Sequence, residues 1–568
     1  MEDNPDLNTT DKLPEDESTV KEEKEENDWK KGSRLLSGLV GSNVFLFSCA
    51  LLTCVFTEDI EVFERDFLIF LTIMMAICIS WMLFQMYFTW KNKNAVLYKD
   101  CQAGPIWMRV GIILFGVGAL IMTSFKIAYT AEYTDCATPM KMMQPVIQAL
   151  FIIVQTCFLW ISCKHCVQIY LNSTRCFLMI LLMVNLTIWI IMVTEESRHH
   201  TMELEEYFNR NYSKTNTSTL SEHHDENEHK NRCECAYKCG VDQTVYIYLY
   251  PFNIEYNLFA AAMIYIMWKN VGRKIDEHAS FHHGLGPGVR QHIPLLGLFS
   301  GLGILITGLV MFILYELGRG NPQKNWLSLT AFYYFHVISL VLMCLANVVG
   351  IVIFRLDKRN MDNEKNPSRT LDTVLLLLAT LGQYAISYYS IIAMASTVPF
   401  IFLCGLTLSY SVLMIIQHSL QNVFIIEGLH RLPPPNLLNA YQGTSHPRPV
   451  EQHDSMRSRS VPEKESRLSL TSPPEKLSTP RRVTLTHHIK RHLKKRKTMK
   501  DVYLFLFLCN LIFWIMPAFG ARIRFDNGLE VNFYGFSMWA IITNICLPFG
   551  IFYRMHAAAS LLELYSTA

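Results

Sequence analysis

Two ionisable side chains stand where ionisable side chains are costly. The stretch "PFNIEYNLFAAA" from Pro251 and the stretch "PFGIFYRMHAAA" from Pro548 agree at seven of twelve positions. They part at Glu255, where the second copy has Phe552, and at His556, where the first has Phe259. Titratable groups inside apolar segments cost several kcal/mol in a bilayer and face protein or water, not lipid. A carboxyl and an imidazole can exchange protons near neutral pH when they share a site. One helical turn apart on equivalent helices, Glu255 and His556 are expected to approach each other across a pseudo-twofold interface. A buried structural ion pair is the plainer reading of the same two residues.

The repetition has further members. "NLTIWI" from Asn185 matches "NLIFWI" from Asn510, and "QTCF" from Gln155 faces "QNVF" from Gln421. Each half thus carries a Gln, an Asn and a Tyr in the same order: Gln155, Asn185 and Tyr256, then Gln421, Asn510 and Tyr553. Amides and a phenol can hydrogen-bond between helices as plain glue. The same groups can order a short chain of water without holding a cation tightly. Lys126, His418 and Arg554 are the other ionisable candidates within apolar segments. Lys126 lies near the end of its segment, where a long side chain can reach the interface.

The elements that must carry these residues are membrane spans. Hydrophobic residues make up 51% of the chain and charged ones only 18%, below the roughly 25% of ordinary soluble chains. A span needs about 20 largely apolar residues. Twelve segments qualify, near 36–57, 66–90, 106–130, 142–163, 174–194, 246–268, 293–316, 328–354, 371–396, 399–426, 501–520 and 534–564. The matched phrases place six in each half. An even number per copy makes the copies enter from the same side, so they are parallel repeats related by a pseudo-twofold axis along the membrane normal. The expected fold is an all-α polytopic membrane protein of twelve transmembrane helices in two parallel six-helix repeats.

The short connections alternate between basic ones, such as "KNKNAVLYKD" and "KNVGRKIDEH", and acidic or weakly charged ones, such as "TEDIEVFERD". The positive-inside rule puts the basic set and both termini in the cytoplasm. The expected organisation is an acidic tail over 1–35, a first repeat over 36–272 with an extracellular loop at 195–244, a linker over 273–291, and a second repeat over 292–568. The second repeat contains a Pro- and Ser-rich cytoplasmic loop at 428–499, whose polybasic end could hold anionic lipid. No secretory signal is recognisable at the N-terminus. The outer loop holds acceptor sequons at Asn211 and Asn216, and Cys136, Cys233, Cys235 and Cys239 fall on the same side as disulfide candidates. It also carries His199, His200, His223, His224 and His229, suited to sensing external pH or to binding zinc.

Several stretches, "AGPIWMR", "YLYPFNIEYNLFA", "NPSRTLD", "GQYAISYYSI", "WIMPAFGAR" and "NICLPFGIFYRMHA", resemble the otopetrins, a family of proton-selective channels. The resemblance covers all twelve spans and is stronger to the second and third members of the family than to the first. It implies a homodimer whose four six-helix barrels surround a lipid-filled centre, of sterol or other membrane lipid. It also implies an inward H+ current driven by external acid at the cell membrane, with Zn2+ as a modulator and no cofactor. A Gln–Asp/Asn–Tyr triad in each half, a constriction in the family, falls here on the two triads above. Asn185 cannot titrate where some members carry Asp. The family's interfacial Glu and His correspond to Glu255 and His556. A proton-coupled transporter of a small solute and a structural or receptor protein remain as rivals. An enzyme is not expected: the sequence has no HExxH, no P-loop and no membrane-embedded Asp pair.

Overall fold

A computed structural model describes residues 17–55, 61–100, 104, 106–132, 139–216, 230–273, 294–318, 322–356, 367–398, 401–431, 479–521 and 526–567. Twelve long helices occupy most of them: α1 (Glu17–Val55), α2 (Glu61–Lys91), α3 (Ile106–Glu132), α4 (Pro139–Ser162), α5 (Leu171–Asn216), α6 (Lys230–Asn270), α7 (Leu295–Gly318), α8 (Pro322–Leu356), α9 (Pro367–Ser396), α10 (Phe402–Leu429), α11 (Thr479–Ala518) and α12 (Phe536–Thr567). Three of them, α4, α8 and α9, begin on proline, whose missing N–H is not needed in the first turn.

Eleven helices among the described residues are long and apolar enough to cross a membrane, and the protein is a multi-pass membrane protein. The helix outside that count is α6, one of the twelve expected spans. Asn253, Glu255 and Asn257 lower its hydropathy, and its described residues are buried on nearly every side. A helix wrapped by other helices does not need a lipid-facing apolar surface. The helices also run past their apolar limits. Helix α5 continues to Asn216 and α6 starts at Lys230, so much of the segment expected as an outer loop is helical, as is the polybasic end of the 428–499 loop from Thr479 onward. Helix-favouring Glu, Lys and Arg continue the backbone hydrogen bonding after the apolar residues end.

Helices α1, α5, α6, α3, α4 and α2 pack side to side in that order, and α2 closes back on α1. Helices α7, α11, α12, α9, α10 and α8 pack in the corresponding order, with α8 closing on α7. Each ring encloses its own apolar core, and Trp514 and Ala518 of α11 reach into the core of the first. The rings meet where α6 touches α9 and α3 touches α12. Thr201 of α5 also accepts a hydrogen bond from Asn544 Nδ2 of α12 at 3.1 Å.

Helix α7 shows how the outer helices are held. Its buried residues are nearly all glycine, and a Cβ at Gly297 would come within 2.1 Å of the Asp501 carbonyl oxygen of α11. Small residues allow this close approach, while the remaining faces of α7 present Leu, Ile and Phe outward.

At one end of the first ring, β1 (Val96–Lys99) pairs antiparallel with β2 (His165–Val167). Asp100, just past β1, accepts from Asn270 Nδ2 at 3.1 Å and pairs with Arg273 at 3.2 Å. This ties the end of α6 to both connecting segments. Burial, reinforced by the Asp100 carboxylate, pushes the Cys166 thiol up to about 11, so it stays a protonated filler.

Candidate functional site

Inside the first ring, Gln155 of α4 and Asn185 of α5 face each other with paired amides. Gln155 Nε2 donates to Asn185 Oδ1 at 2.8 Å, and Asn185 Nδ2 donates back to Gln155 Oε1 at 2.9 Å. Gln155 Nε2 also reaches the Tyr256 hydroxyl of α6 at 3.3 Å. That hydroxyl lies 3.0 Å from Thr156 Oγ1 and donates to the Ile152 carbonyl at 3.1 Å. All three triad residues are fully buried. The cluster is neutral and closed on itself.

The second ring repeats the arrangement. Gln421 Nε2 of α10 donates to Asn510 Oδ1 of α11 at 3.1 Å, and Asn510 Nδ2 returns a bond to Gln421 Oε1 at 3.0 Å. Gln421 Nε2 also donates to the Tyr553 hydroxyl of α12 at 3.2 Å, and that hydroxyl donates to Asn422 Oδ1 at 2.9 Å. Here the cluster carries ionisable neighbours. Arg554 Nη1 donates to Asn510 Oδ1 at 3.1 Å, and His418 stacks on Tyr553 with ring centroids 4.2 Å apart. His418 Nδ1 donates to the Met414 carbonyl at 2.8 Å, while its Nε2 is buried without a hydrogen-bond partner. The residue of α4 matched to His418 is Ile152.

The expected meeting of Glu255 with His556 is corrected by the side-chain positions, which give each a different partner. Glu255 Oε1 accepts a hydrogen bond from Trp514 Nε1 of α11 at 3.2 Å, across the junction of the two rings, and its Oε2 has no partner. His556 Nε2 donates to the Asp372 carbonyl at 3.1 Å and lies 3.8 Å from Asp372 Oδ1, on the neighbouring helix α9 of its own ring. Equivalence under the repeat places these groups on matching helices but does not set which rotamer or neighbour each one takes. Both Glu255 and His556 are almost wholly enclosed by protein.

The other sequence candidates are dispersed. Lys126 is half-buried in the last turns of α3. His199, His200, His223, His224 and His229, the cysteines Cys136, Cys233, Cys235 and Cys239, and the sequons at Asn211 and Asn216 lie outside the residues whose side chains are described. Among the described residues no three His, Cys, Asp or Glu side chains converge as a metal site. Asp372, Trp514, Thr156 and Asn422 were missed as site residues, although each lies in or beside a stretch already singled out. Thr156 and Asn422 directly follow the matched glutamines, Trp514 belongs to "NLIFWI", and Asp372 ends "NPSRTLD". His336 of α8, buried and in contact with Phe332 and Phe513, is a further ionisable residue within a span.

The fold and these clusters define a class: a helical, multi-pass membrane protein with duplicated polar clusters buried in its interior. The sequence pattern of the otopetrin family matches residues 107–436 and 480–555, and the chain belongs to that family. It is 43% identical to the proton channel OTOP2 of Homo sapiens over 547 residues, covering 94% of this chain and 95% of that one. Identity is 37% to the human proton channel OTOP3, over 94% of this chain and 86% of the other. It is 31% to the proton channel OTOP1 of Danio rerio, over 94% and 91%. The order of these identities agrees with the expected likeness to the second and third family members.

Proposed function

We propose that this chain is a proton-selective channel that passes H+ into the cell when the outside is acidified. The observation that carries the reading is its 43% identity, over nearly its whole length, to a proton channel. The buried polar clusters suit that activity. A proton needs no wide aqueous bore, because it can hop along water and through groups that both accept and donate. The hydroxyls of Thr156, Tyr256 and Tyr553 can do both, while the amides of Gln155, Asn185, Gln421 and Asn510 hold them in place. Glu255, with one oxygen held by Trp514 and one unpartnered, and His556 with Asp372 are the titratable stations.

Residues 36–272 and 292–568 form two parallel copies of six spans in this reading, with both termini cytoplasmic, at the cell membrane. The chain acts as a homodimer with lipid between its barrels. Zn2+ modulates it through the outer histidines, and Asn211 and Asn216 are glycosylated. It needs no cofactor and catalyses no reaction.

The test is current or flux from purified protein in liposomes under a pH gradient, with K+, Na+ and Cl− varied separately. A reversal potential that follows the proton gradient alone supports the channel. A flux that requires a co-solute would replace it with a proton-coupled transporter, and the triads would become solute ligands.

A further inference from the structure

Arg554 brings a guanidinium into the interior of the second ring, and among the described residues none of its partners is an acid. It is 3% exposed. Nη1 donates to Asn510 Oδ1, Nη2 lies 3.3 Å from Met414 Sδ, and the plane sits over the rings of Phe513 and Tyr553 at 4.9 and 5.8 Å. Among the described residues the ionisable groups around it are Tyr553 on α12 itself, Tyr410 and His418 on α10, Cys509 on α11 and Cys344 on α8, and His336 of α8 lines the cavity beside it. None of these is a carboxylate. A charge removed from water this completely needs a counter-charge as well as hydrogen bonds.

Beside Arg554 is a cavity of about 80 Å³, lined among others by His336, Gln383, Tyr410, Thr543 and Gly550. It stays open because residue 550 is glycine: a Cβ there would meet Gln383 Oε1 at 2.9 Å. The first ring is built differently at the matched positions. Asn253 and Asn257 replace Gly550 and Arg554, and Asn257 Nδ2 donates to Asn253 Oδ1 at 2.9 Å. Two amides satisfy each other in one ring where the other has a cation beside open space.

We propose that this cavity is a binding site for a small monovalent anion of the halide class, chloride in particular. Arg554 supplies the charge, and Gln383 and Thr543 supply the polar rim. The volume admits one such ion with a few waters. A planar guanidinium is weakly hydrated and well suited to a buried anion. The occupied site cancels the field that Arg554 imposes on the adjoining Gln421–Asn510–Tyr553 cluster.

The test reads binding and is independent of whether the chain conducts protons. The full-length purified protein is melted in chloride and in gluconate at equal ionic strength and pH, and chloride exchange is followed by 35Cl line broadening with bromide as competitor. The expected result is a saturable rise in melting temperature with chloride and a broadening that bromide removes. Both are lost in Arg554→Met and weakened in Gly550→Ala, which keeps the charge but narrows the cavity. Should Arg554→Met fail to accumulate, Gly550→Ala and the wild-type broadening decide the matter. Equal melting in the two salts without broadening overturns the site, as does a chloride effect that persists unchanged in the variants.

Discussion

The two rings share an order of helices and a Gln–Asn–Tyr cluster, yet they differ one residue or one turn away from it. In the first ring Tyr256 is surrounded by Thr156, Gln155 and a backbone carbonyl, and among the described residues no Arg, Lys, His or carboxylate makes a hydrogen bond to the cluster. In the second, Arg554 donates to Asn510 and sits over Tyr553, and His418 stacks on Tyr553. The junction differs in the same way. Trp514 donates to Glu255, whereas the matched Trp189 has Phe552 at the corresponding position of the repeat, packs against Phe549, and leaves its indole N–H unpartnered. The two rings share the scaffold and the neutral cluster, and each charged neighbour is found in one ring only. The pair of rings is therefore a built-in control experiment, because a substitution in one has a matched substitution in the other.

The largest effect is expected at Glu255. Glu255→Gln keeps an acceptor for Trp514 but cannot take up a proton, and proton flux in liposomes should fall about tenfold or more, in the range by which a positioned acid or base matters. Phe552→Glu is its mirror, and gain of a hydrogen bond to Trp189 without gain of flux would show that the junction is used from one side only. Next comes the other station. His556→Phe and Asp372→Asn should each lower flux several-fold by the same measurement, and equal losses in the single and double variants would show that they act as a unit. Normal flux in the Glu255 and His556 variants, with the protein present at the membrane, would remove both from the pathway.

A smaller, structural effect separates the tyrosines. Tyr256→Phe and Tyr553→Phe each leave buried partners unpaired, at about 1–3 kcal/mol, read as a lowered melting temperature. Comparing their fluxes shows whether one ring conducts or both. The smallest effect, at Trp189, is the sharpest control. Trp514→Phe should lower the melting temperature by exposing Glu255 to the same kind of cost, about 1–3 kcal/mol, and Trp189→Phe should leave it nearly unchanged.

Much of this site is legible in the sequence. Identical residue types at matched offsets marked Gln155, Asn185 and Tyr256 and their counterparts, and each set of three does meet at hydrogen-bonding distance. What was not legible is partner choice. Glu255 is expected to reach His556, but Glu255 accepts from an indole at the ring junction and His556 donates to the Asp372 backbone carbonyl of α9. Asp372 does not stand out in the sequence because it lies close to the start of an apolar segment, where an acid usually marks a helix end facing water. Here the helix is covered by α12, so the acid is buried. The β1–β2 pair leaves no mark in the sequence for a related reason. Strands of three or four residues have no period long enough to read, and their pairing depends on two connections that lie far apart in the chain.

The sequence by itself determined that this is a helical membrane protein, that the same phrases recur in its two halves, and which polar residues stand at matched offsets in them. Apolar length and repeated phrases are local properties, and they survive reading one residue after another. Only the tertiary structure decided that α6 is wrapped by protein, that Glu255 answers to Trp514, and that Arg554 faces a cavity instead of a carboxylate. Those outcomes depend on which helices become neighbours and on which side chain is small enough to leave room, as Gly550 does beside Gln383.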